Sequence, residues 1–99
     1  MLKYHKQIRN GETVISLEGE LDTLASQTLE TKLDSLLDGA ENVTVDMEKL
    51  EYLTSAGLRI LMRMDNIMQG KGSLKIVHVR EEIMEIFEVT GFVELLNIG

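Results

Sequence analysis

Ninety-nine residues, 43% of them apolar and 27% charged, suffice for one globular domain with a modest core; a second domain, a disordered acidic tail and a large internal cavity are excluded. The absence of cysteine removes disulfides, thiolate metal sites and thiol catalysis, and fits a reducing compartment. Ten basic against seventeen acidic residues leave a net charge of −7, which disfavours nucleic acid and anionic membrane surfaces as partners.

The start MLKYHKQIRNG lacks the apolar stretch of a leader, and no run approaches the ~20 apolar residues that cross a bilayer. The expectation is a cytoplasmic domain, monomeric when free, that meets a protein or a small ligand. Leu2, Tyr4 and Ile8 recur at period two, and Thr13 to Glu18 is rich in β-branched residues. Asn10-Gly11 lies between them and tolerates the positive φ angles of a tight hairpin turn, so the two segments predict an antiparallel β-hairpin.

From Asp22 the period changes. Leu29, Leu33, Leu36 and Leu37 fall on one stripe of an amphipathic helix that ends near Gly39, with Asp22 or Thr23 as its N-cap. A short strand follows over Asn42 to Met47, and Leu50 and Leu53 lead to Thr54-Ser55, one of which should cap a second helix running to Gly70. Leu74 to Val79 reads as a strand, Ile83, Ile86 and Phe87 as the stripe of a third helix, and the tail Phe92 to Leu96 is ambiguous.

Strands alternating with helices predict the α/β class: an antiparallel hairpin leading into a mixed, mostly parallel sheet whose helices lie in βαβ crossovers. Binding chemistry in such sheets gathers at the carboxyl ends of the strands, here the loops Gly19 to Thr23 and Leu50 to Gly57.

Those loops carry a family resemblance. Gly19-Glu-Leu-Asp22 and the stretch from Val43 through Thr54-Ser-Ala-Gly-Leu58 are similar to the STAS domain, named for sulfate transporters and anti-sigma factor antagonists. The resemblance covers nearly the whole chain, and the helix-opening Ser-x-Gly-Leu is its most specific part. Among STAS proteins the lone acidic domain most resembles the bacterial anti-anti-sigma factors. That resemblance implies a protein that binds an anti-sigma factor, usually a serine kinase, releases its sigma factor, and is switched off by phosphorylation of the serine matching Ser55. A PP2C-type phosphatase would restore it, and no cofactor, metal or enzymatic activity of its own is implied. The family often has aspartate before that serine; this chain has Thr54, which can cap the helix but brings no charge. Ala56 leaves Ser55 as the one serine where some relatives carry a second hydroxyl residue. Two other readings remain: a STAS scaffold or regulator serving another signalling system, and a small-molecule sensor using the loops near Ser55.

On its own chemistry Ser55 is an ordinary N-cap candidate, and a phosphate there would meet the free N–H groups and positive dipole end of the helix. A nucleophilic serine is disfavoured, because Leu53 breaks the G-x-S-x-G pattern and the two histidines, His5 and His78, fall on other strands. Asp22 reads as a cap that emerges at the same sheet edge as Ser55, if the strands before them are parallel neighbours. Together Asp22, Thr54, Ala56 and Gly57 make the neighbourhood of Ser55. On a helical wheel Leu58, Ile60, Leu61, Met64, Ile67 and Met68 share one half of the second helix, while Arg59, Arg63 and Asn66 lie opposite. Met62 falls among these polar residues. The expected partner surface is therefore Leu58, Arg59, Met62 and Arg63, with Met62 as an apolar anchor and the arginines paired to acids.

Overall fold

The computed structural model describes residues 1–99. Chain order is β1 (Lys3–Arg9), β2 (Glu12–Leu21), α1 (Thr23–Glu30), α2 (Leu33–Leu37), β3 (Asn42–Leu53), α3 (Ser55–Met68), β4 (Ser73–Val77), α4 (Glu81–Thr90) and α5 (Phe92–Leu95). The sheet order is β1-β2-β3-β4, with the first pair antiparallel and the other two parallel. The hairpin turns at Asn10 (φ 51°) and Gly11 (φ 80°), the two positive angles that Asn-Gly tolerates.

Alternation along the strands sends Ile15, Leu17, Val43, Val45, Leu74 and Ile76 to one face. There they join Leu29, Leu33 and Leu37 of the first two helices, Leu61 and Met64 of α3, and Ile83 and Phe87 of α4 in a single core of 22 buried residues. The other face carries Val14, Ser16, Asp46 and Lys75 and holds no helix-facing core residue.

Two elements differ from the sequence expectation. The first helix is divided after Glu30, although its stripe of Leu29, Leu33 and Leu37 is continuous and buried. Thr31 and Lys32 keep right-handed angles, but the Lys32 N–H reaches the Leu29 carbonyl instead of one residue further back. The Thr28 and Thr31 hydroxyls donate to the Leu24 and Thr28 carbonyls at 3.3 and 2.7 Å, so side chains compete for the acceptors of this turn and tighten it.

The third strand extends beyond Met47 to Leu53, twice the expected length. Its pairing with β2 slips twice: Ser16 faces Asp46 but Glu18 faces Lys49, and Gly19 faces Leu50 but Glu20 faces Tyr52. Each extra residue reverses the inward and outward parity, so Met47, Leu50 and Leu53, three apart, all point to the core. The ambiguous tail resolves into α5 followed by a short segment on the outer edge of β4, where the Ile76 N–H donates to the Asn97 carbonyl and the Gly99 N–H to that of Ile76, both at 2.8 Å.

Candidate functional site

Parallel pairing of Leu21 with Leu53 brings the ends of β2 and β3 side by side, and the Thr54 N–H donates to the Leu21 carbonyl at 3.2 Å. Asp22 and Ser55 follow directly from these two ends, so the sheet places them at one edge. Asp22 is the N-cap of α1: its Oδ1 accepts from the Ala25 N–H at 2.8 Å, and its second carboxylate oxygen has no protein donor.

Thr54 occupies the N-cap position of α3 with extended backbone angles, but its side chain makes no capping bond. Its Oγ1 is buried without a partner. Thr54 thus takes the expected N-cap position, but its hydroxyl is buried and does not cap the helix. The consequence is chemical: the first-turn N–H groups of α3 have no side-chain acceptor, while Ser55, its first residue, is exposed. An uncapped, exposed helix end beneath a serine hydroxyl is a setting that stabilises a phosphate.

Gly57 has a separate reason. A Cβ built there would lie 2.6 Å from the Leu21 carbonyl oxygen, so only glycine lets the first turn of α3 sit this close to the end of β2. Ala56 beside it lines a groove of 360 Å³ between α1 and α3, with Thr23, Ser26, Gln27, Arg59 and Arg63. Ser26 is 3% exposed and its hydroxyl, like that of Thr54, has no hydrogen-bond partner.

Along α3 the exposed stripe runs Ser55, Arg59, Arg63, Asn66. The Arg63 Nε lies 3.6 Å from Glu30 Oε2, an exposed pair that contributes little, and Arg59 has no ion-pair partner. One of the four residues expected on the partner surface, Leu58, is corrected. Leu58 is 3% exposed and belongs to the core. Met62 is half-buried and packs against the core, because the outward face of α3 is narrower than the wheel implied.

Two apolar residues at this end were missed by the sequence reading. Leu24, in the first turn of α1, is 73% exposed, and Tyr52, near the end of β3, is 53% exposed. The signal was present for Leu24, which lies off the Leu29–Leu33–Leu37 stripe. For Tyr52 it was hidden by the second slip in the β2–β3 pairing, which turns the ring outward.

The histidines lie elsewhere. His5 on β1 and Asp46 on β3 border a polar groove of 290 Å³ on the sheet face opposite the helices. The His78 Nδ1 is 3.0 Å from Asp46 Oδ1. That hydrogen bond, reinforced by the charge of the carboxylate, raises the His78 pKa above its ordinary value.

A family model described as "Mlab, STAS domain" matches residues 4–97. A putative anti-sigma factor antagonist, BtrV of Bordetella bronchiseptica, is 28% identical over 92 residues, covering 91% of this chain and 79% of that protein. The crystal structure of an anti-sigma factor antagonist from Mycobacterium paratuberculosis superposes with a TM-score of 0.89 at 20% identity, covering 99% of this chain and 85% of that one. The Bacillus cell fate determinant SpoIIAA in its phosphorylated form superposes with a TM-score of 0.73 at 16% identity, over 98% and 91% of the two chains. With its four-stranded mixed sheet, its serine at the opening of α3 and a family model covering it almost end to end, the chain belongs to the STAS domain family.

Proposed function

We infer that this domain is an anti-sigma factor antagonist whose unphosphorylated form binds an anti-sigma factor with serine kinase activity and so frees the sigma factor. Phosphorylation of Ser55 ends that binding, and a phosphatase of the PP2C type restores it. The observation that carries this reading is the exposed Ser55 at a helix N-terminus without a side-chain cap, on the same sheet edge as Asp22. The relatives' names support the antagonist role, and a structural relative studied in a phosphorylated form supports the modification.

In the transfer, the Ser55 Oγ forms a bond to the γ-phosphorus of ATP held by the kinase, the bond to ADP breaks, and the hydroxyl proton leaves to a base. Asp22 and Ser55 follow the paired strand ends Leu21 and Leu53, and the Asp22 oxygen that does not cap α1 is available to a kinase docked at that edge. No fold change is needed for the off state. A group of about −1.5 to −2 charge with its hydration shell replaces a small neutral hydroxyl in the contact area, so a local change of charge and shape at the surface suffices.

The partner surface is the Ser55 end of the domain: Asp22, Ser55, Arg59 and Arg63, flanked by the exposed Leu24 and Tyr52. Tyrosine and arginine are the residue types enriched in binding hot spots, and the exposed Leu24 adds apolar area. The site serves as substrate and binding surface, without a catalytic role of its own.

Incubation with the cognate kinase and ATP is expected to add one phosphate at Ser55, located by mass spectrometry. Ser55→Ala abolishes it while keeping partner binding. Phosphate found on Thr54, or none at all with a kinase shown to bind, overturns the switch.

A further inference from the structure

Arg59 stands four residues after Ser55 on α3, so the two side chains are roughly 40° apart on the wheel and about one turn apart along the axis, with Cβ atoms about 5–6 Å from each other. Side chains on a helix lean toward its N-terminus, which puts the turn carrying Ser55 within reach of the long Arg59 side chain. Arg59 is exposed and has no ion-pair partner, whereas Arg63, one turn further on, lies 3.6 Å from Glu30. It borders the α1–α3 groove, where the Ser26 hydroxyl is buried with no acceptor or donor of its own. The first-turn N–H groups of α3 also lack a side-chain acceptor.

These features converge on one chemistry. We propose that Arg59 is the internal receptor of a phosphoryl group on Ser55: its planar guanidinium pairs with two phosphate oxygens while the first-turn N–H groups of α3 take the third. This rests on the reading of Ser55 as the modified residue and adds what the modification does next. A guanidinium fork suits a phosphate better than a point charge, and the pairing closes within one helical turn without backbone movement. Phosphorylation then withdraws two features from the partner surface together, the open hydroxyl and the one unpaired arginine beside it.

The test uses the full chain with phosphoserine installed at position 55 during synthesis, so that no kinase is required. A cation that pairs with the dianion lowers the second phosphate pKa, which phosphorus NMR reads directly. Wild type is expected to titrate about half a pH unit or more below Arg59→Ala, with Arg59→Lys between them and Arg63→Ala matching wild type. Coincident titration curves for wild type and Arg59→Ala overturn the proposal, as does an equal shift in Arg63→Ala, which would reveal only a general field of the helix. Arg59 and Arg63 are both exposed, so the variants keep the fold. The outcome is separable from the switch itself: a kinase that leaves Ser55 unmodified removes the physiological role, and equal titration curves remove only the receptor.

Discussion

A methyl group at position 57 would meet the Leu21 carbonyl oxygen at 2.6 Å, and neither backbone can yield without opening the junction between β2 and α3. Gly57→Ala is therefore expected to cost about 1–3 kcal/mol, the usual cost of overpacking, read as a lower melting temperature. Thr54 behaves in the opposite way. Its hydroxyl is buried with no partner, so Thr54→Val, of nearly the same shape, is expected to leave stability unchanged or raise it by up to about 1 kcal/mol in denaturant titration. A loss would show that the hydroxyl is bonded after all. Ser55→Asp adds a negative charge at the first position of α3, where the helix dipole favours it by about 0.3–1 kcal/mol. Its melting temperature is expected to equal or exceed that of wild type while partner affinity falls. Unfolding of Ser55→Asp would mean that the loss of binding is structural.

At the scale of elements, α1 and α3 present the site and the turns around them hold it. Leu24→Ala and Tyr52→Ala are each expected to weaken partner binding about tenfold or more at unchanged melting temperature, measured by calorimetry, because both side chains are exposed and off the core. The loop from β4 to α4 is tied down by the His78–Asp46 hydrogen bond and by Arg80, whose Nε donates to the Glu48 carbonyl at 3.1 Å. His78 takes a left-handed φ of 58°, uncommon for a side chain of its kind. With its pKa raised in the folded state, the pairing stabilises the fold fully below about pH 6.5 and is lost as pH rises through the folded value. A plot of melting temperature against pH is expected to fall across that window in wild type and to flatten in His78→Asn.

The β-hairpin, the three helical stripes and the cap at Asp22 were legible because each follows a simple period or a single side-chain bond. The length of β3 was not, since two register slips with β2 break the alternation that identifies a strand and place Met47, Leu50 and Leu53 three apart on the core side. The same slips explain why Tyr52 escaped notice. Met62 is less open than its wheel position suggests, because a wheel ranks residues by angle but not by how far neighbouring elements reach around the helix.

Over the whole molecule, one sheet face and five helices share a single core, and the Ser55 end is the edge where two parallel strands and the starts of α1 and α3 meet. No helix is long and apolar enough to cross a membrane. With Ser55 exposed at the start of α3 and outside that core, control is expected to act on surface charge at an unmoved site. The most direct test compares amide NMR spectra of the domain before and after phosphorylation at Ser55. Shift changes are expected only at the end of β3, in the first two turns of α3 and in the segment from Leu21 to Ala25. Changes spreading through β1, β4 and α4 would contradict this and show that the phosphate remodels the fold.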